Sequence, residues 1–93
     1  MLNNYAIFDT EEGLLQWHGR ATSSQASLFA HLQDVGYINE IADYQFRVLE
    51  VDDAQYASLM AWWRAGQWSP DWPQDMPDGE LLTAIEVVKM MST

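Results

Sequence analysis

The chain has no cysteine, which removes disulfides, thiolate zinc sites and a thiol nucleophile, and argues against a secreted, disulfide-stapled module. Bases are scarce as well: four Lys and Arg stand against fourteen Asp and Glu, for a formal charge of −10. Such a surface repels nucleic-acid phosphates and anionic lipid, so neither direct DNA or RNA binding nor membrane association is expected. No apolar run approaches the ~20 residues that span a bilayer. Met1, Leu2, Asn3 and Asn4 carry neither the basic nor the apolar region of a signal peptide, and a cytoplasmic location is the default expectation.

Catalytic signatures are missing too. There is no GxSxG elbow around any serine, no GxxxxGK[ST] or GxGxxG phosphate loop, and no HExxH pair among the two histidines, His18 and His31. Asp71, Asp75 and Asp78 are spaced unlike the ligands of an EF-hand, and Pro73 and Pro77 interrupt the stretch. Neither enzyme activity, a metal nor a cofactor is expected.

What remains is a chain with the means to fold. Apolar residues make up 48% and aromatics 13%, too much for an acidic disordered tail, and 93 residues suffice for a single globular domain, 1–93, with one modest core. The acids are spread evenly: residues 1–51 hold seven acids and two bases, and residues 52–93 hold the same. They crowd the expected connections, at Asp9, Glu11 and Glu12, at Asp52 and Asp53, and at Asp71, Asp75, Asp78 and Glu80.

The centre of the pattern is the stretch 52–79, which holds four of the five tryptophans and all three prolines. Asp52 or Asp53 is suited to cap a helix. Tyr56, Leu59, Met60 and Trp63 then share one face at i, i+3, i+4 and i+7, and Gly66 suits a left-handed C′ position. Trp62 falls off that stripe, either covered by the following loop or exposed as an anchor. Residues 67–79 cannot be regular helix or central strand, because Pro70, Pro73 and Pro77 each fix φ and lack an N–H. This Trp/Pro/Asp-rich loop places Trp68, Trp72, Asp71, Asp75 and Asp78 at the surface or folds its indoles back as a lid.

Elsewhere, residues 5–8 and 14–18 read as a β-hairpin around the turn 9–13, with Gly13 available for positive φ and a register left open because Leu14 and Leu15 are both apolar. Thr22, Ser23 and Ser24 offer caps for a helix to about Val35, with Leu28, Phe29, Leu32 and Val35 as its apolar stripe and His31 on the other side. Residues 44–51 form the clearest strand, with Tyr44, Phe46 and Val48 on one face and Arg47 on the other, beside cross-strand acids. Asp78 caps a final helix over 80–91, supported by a Glu86–Lys89 pair, against a competing strand at 83–90. The expected fold is α+β: a small antiparallel sheet packed by two to three helices on one face, in the order β-β-α-β-α-loop-α.

Two binding functions follow. In size and charge the chain resembles the small acidic inhibitors that phages and mobile elements encode, anti-CRISPR and DNA-mimic proteins among them, a likeness of composition that carries no motif. It implies a non-enzymatic, protein-binding module that docks its acidic surface on a basic, nucleic-acid-binding partner, with Asp71, Asp75 and Asp78 as electrostatic contacts and Trp62, Trp68 and Trp72 as anchors. The alternative is an interaction or homodimerisation module that uses the tryptophan surface, its charge serving solubility. A stacking site for a small cation or sugar is a third, lesser reading.

Overall fold

The computed structural model describes residues 2–11, 13–35, 44–66 and 76–91. Four antiparallel strands form one sheet: β1 (Asn3–Asp9), β2 (Leu15–Ala21), β3 (Gln45–Val51) and β4 (Glu80–Thr83), in the spatial order β2-β1-β3-β4. Three helices pack on it, α1 (Ser24–Val35), α2 (Asp53–Arg64) and α3 (Ala84–Met91). The α+β class stands as expected. Helices cover both faces of the sheet, however, and not one.

β1 shows why. Tyr5, Ala6, Ile7 and Phe8 are all buried, and successive strand residues point to opposite faces, so a central strand with no polar alternation has to be covered twice. Tyr5 and Ile7 join Phe46, Val48 and Leu82 against Leu28 and Leu32 of α1 and Val87 of α3. Ala6 and Phe8 join Leu49 and Val51 against Leu59, Met60 and Trp62 of α2. Two thin cores therefore share one sheet.

The open register of the hairpin has a local cause. Ile7 pairs with Trp17 while Phe8 pairs with Leu15, so Gln16 is an extra residue in the ladder. The resulting bulge changes the parity of β2. Leu15 reaches the α2 side and Trp17 the α1 side, and for that reason strict alternation fails there. The turn itself is as expected: Gly13 has φ 68° and donates its N–H to the Asp9 carbonyl at 2.7 Å.

Both central helices start where their caps predict. The Ser23 hydroxyl accepts from the Ala26 N–H at 3.1 Å, at the head of α1. Asp52 accepts from Gln55 N–H at 2.7 Å, and the Gln55 side chain returns a bond to Asp52 N–H at 3.0 Å, a reciprocal capping box. Gly66 follows the C-cap with φ 111°.

Several expectations need correction. His31 lies inside the fold, 3% exposed, with its ring edge-on to Phe46 at 5.9 Å; α1 buries Ser27, Leu28, His31 and Leu32, because α3 packs beside it and widens the covered face. In α2 the buried set is Leu59, Met60 and Trp62, while Trp63 is 38% exposed. Tyr44 precedes β3 and is exposed. The residues directly across from Arg47 in the two ladders are Phe8 and Leu81, not acids.

The last segment divides. Residues 80–83 are strand, and the helix begins only at Ala84, so Asp78 caps nothing. The cap is Thr83, whose hydroxyl accepts from Glu86 N–H at 3.3 Å while the Glu86 carboxylate accepts from Thr83 N–H at 3.5 Å. Glu86 thus serves the helix end, and Lys89 is not its ion-pair partner. Leu82 explains the strand: beside Phe46 it closes the first core, which a helix starting at Glu80 would leave open.

Candidate partner-binding cleft

On the α2 side of the sheet lies an open cleft of about 490 Å³, bounded by the β1–β2 turn, by β3, by the end of α2 and by residues 76–78. Its floor is apolar. Phe8 and Trp62 sit with ring centroids 6.5 Å apart at 57°, and Leu49 and Met76 complete it. Asp9, Thr10, Arg47 and Asp78 form the polar rim.

The rim is held by short local bonds. Asp9 Oδ1 accepts from Glu11 N–H at 2.8 Å, and Asp9 N–H donates to the Leu14 carbonyl at 3.1 Å. The Thr10 hydroxyl donates to the Gln45 carbonyl at 2.9 Å, tying the turn to β3. Arg47 donates to the Asp78 backbone carbonyl, which draws the 76–79 segment against β3. Gly79 makes that approach feasible: a Cβ there would stand 2.9 Å from the Val48 carbonyl oxygen, and its φ is 82°. Asp78 is therefore held through its backbone while the residue remains exposed.

Of the six residues singled out in the sequence, the structure brings two to this cleft. Asp78 stands exposed on the rim. Trp62 lies in the floor, 8% exposed, so its indole is a packing element of the second core and not a protruding anchor. Asp71, Asp75, Trp68 and Trp72 lie outside the described residues. Sequence reasoning missed Asp9 and Arg47 as neighbours of Asp78. The acid pile-up at the connections hinted at the first, but nothing local announces the meeting of residues so distant in the chain.

Among the described residues the exposed tryptophan is Trp63. His18 of β2 stands edge-on to it at 5.5 Å, and His18 Nδ1 lies 2.6 Å from the Tyr56 hydroxyl. At the other end of the sheet Asn4 is buried but satisfied, donating to Asp53 at 2.8 Å and accepting from Arg20 at 3.0 Å.

The described lining of the cleft includes no histidine, serine, lysine or cysteine; the one hydroxyl there, Thr10, donates to the Gln45 carbonyl, beside the carboxylates of Asp9 and Asp78. Among the described residues no group of three or more His, Cys, Asp or Glu converges as metal ligands, and no helix is long and apolar enough to cross a membrane. No family model, curated protein or solved structure matches the chain.

Proposed function

We propose that this protein is a non-enzymatic binding module, of the kind phages and mobile elements use as inhibitors, that docks an acidic surface on a basic, nucleic-acid-binding surface of another protein. One observation carries the reading. Of the acids among the described residues, Asp53 alone stands in an ion pair, with Arg20 at 3.8 Å. The surplus charge is thus not consumed inside the fold. It is presented at exposed positions whose backbone is hydrogen-bonded into the fold, Glu11 and Asp78 in connections and Glu80 at the start of β4. Unpaired carboxylates on a preorganised surface steer a cationic partner and lose little entropy on contact.

The test is capture with tagged protein from lysate of the cells that encode it, with the captured partner then challenged by salt and by duplex DNA. A basic partner kept at low salt, lost at high salt and displaced by DNA is the expected result, since exposed charges are screened within about 10 Å at 0.1 M salt. Retention that ignores both salt and DNA overturns it.

A second reading has its own observation, the exposed Trp63 backed by His18 and Tyr56. Aromatic side chains held in place are favoured interface anchors. Salt-resistant self-association lost in Trp63→Ala would support assembly through that surface in place of charge docking.

A further inference from the structure

β4 is one of the two outer strands of the sheet, and it is guarded differently from the other. β2 carries the bulge at Gln16 and the charged Arg20, both of which discourage pairing with a further strand. β4 has no lysine, arginine or proline along its four residues and pairs with β3 without a register shift.

The hydrogen-bond phase tells which of its backbone groups face outward. Thr10 N–H meets the Gln45 carbonyl on the β1 side of β3, at 3.4 Å. Antiparallel alternation then turns Gln45 and Arg47 toward β1, and Phe46 and Val48 toward β4. In the register Phe46 to Leu82 and Val48 to Glu80, Leu82 and Glu80 pair inward while Leu81 and Thr83 point out. Thr83 N–H is occupied by Glu86. No bond from a described residue reaches the outward N–H and C=O of Leu81, and its side chain is 50% exposed, with Ile85 close behind at 48%.

The geometry points to β4 as a docking strand: an extended, cationic segment of a partner protein adds to the sheet as a fifth strand through Leu81. This rests on the proposed docking to a basic partner and names where the partner's backbone enters. Charge fixes the occupant. Two-fold pairing with a second copy would set −10 against −10, with Asp78 and Glu80 of both copies on one edge. In a segment alternating basic and apolar residues, the apolar side chain lies beside Leu81 on the face it shares with Arg47. The flanking cation comes opposite Glu80, whose exposed carboxylate is held at 2.6 Å by the Ser24 hydroxyl. Main-chain bonds supply the affinity in this mode, and alternate side chains the selectivity.

The test is titration of the isotope-labelled full chain with a short Lys–Val alternating peptide, and with a matched Glu–Val peptide, read by residue-resolved amide hydrogen exchange. The Lys–Val peptide should slow exchange at Leu81, and the Glu–Val peptide should not bind. Leu81→Pro removes the outward N–H without touching the ladder to β3; losing one hydrogen bond of this kind should weaken the Lys–Val peptide about tenfold. Should that variant misfold, Leu81→Lys keeps the backbone and sets a like charge against the peptide, with the same expected loss. Absence of Lys–Val binding overturns the proposal, as does Leu81 protection that appears without peptide and grows with protein concentration. Salt-sensitive peptide binding that leaves Leu81 unprotected overturns the docking strand alone and leaves the acidic-surface reading standing. Protection of Leu81 by the peptide, with no basic protein captured from lysate, supports the strand and counts against the proposed function.

Discussion

His18 Nδ1 and the Tyr56 hydroxyl meet at 2.6 Å and join outer strand β2 to the first turn of α2. Trp63, two turns of helix further on, stands edge-on to the same imidazole. Two elements that share few other contacts are thereby linked, and the exposed indole packs against the ring.

Removing that hydroxyl should therefore be felt in two ways. Tyr56→Phe keeps the ring and loses the bond, which is expected to lower the unfolding free energy by about 1 kcal/mol. It should also change the tryptophan fluorescence of the folded protein, because His18 is freed to move against Trp63. Denaturant titration with an emission spectrum at each point checks both, and unchanged stability would mean that the two groups are only neighbours.

His31 sets a pH dependence. Burial in the first core pushes its pKa below the ordinary 6.5, partly opposed by Asp34. The folded chain thus holds the ring neutral while the unfolded chain takes up a proton near 6.5, so the unfolded state binds more protons and stability rises with pH. Stability present at neutral pH should fall as pH drops through about 6.5. His31→Gln removes this contribution, and comparing thermal unfolding of both proteins between neutral pH and the mildly acidic range would reveal a flatter profile in the variant.

Ser27 is fully buried, and its hydroxyl has no hydrogen-bond partner among the described residues. A buried donor left unpaired costs stability, and serine is a weaker helix former than alanine. Ser27→Ala should raise stability by about 1 kcal/mol on these two counts. A loss of stability in the same unfolding assay would show that the hydroxyl has a partner.

Gly79 and Gly66 make a matched pair. Both have positive φ, but a Cβ at Gly66 meets nothing within 4 Å, whereas at Gly79 it meets the Val48 carbonyl oxygen at 2.9 Å. Gly66→Ala should cost about 1 kcal/mol from backbone strain alone. Gly79→Ala should cost clearly more and should loosen the 76–79 segment from Arg47, which exchange at the inward-paired amides of Glu80 and Leu82 would report. Equal costs would mean that the segment shifts without penalty.

How much of this was legible in the sequence differs by element. Caps and turns were readable because they are local: Ser23, Asp52, Gly13 and Gly66 act on residues within four positions of themselves. Thr83 and Glu86 are equally local and spell a capping box, but Asp78 seemed the better cap because nothing nearby announces that Leu82 is needed in the sheet. The unbroken apolar run Tyr5 to Phe8 does carry the sign that both faces are covered, but four apolar residues in a row equally suit a short strand covered on one face beside an irregular partner. Trp62 and Trp63 exchanged roles because a stripe is measured around one helix axis, whereas burial depends on which strand lies under each turn. Of the candidate site, Asp78 and Trp62 were visible as residue types. Their meeting with Asp9 and Arg47 depends on the register of β1 and β3, which no short stretch encodes.

β1 lends alternate side chains to both cores, Tyr5 and Ile7 to one and Ala6 and Phe8 to the other. Neither layer can melt while the other persists, since each would take the shared backbone with it. The molecule is in this sense a two-storey building with one floor slab: thermal unfolding should be a single transition in which the β1 amides are the last to exchange, and force applied by a partner at Phe8 reaches the opposite layer through one peptide bond.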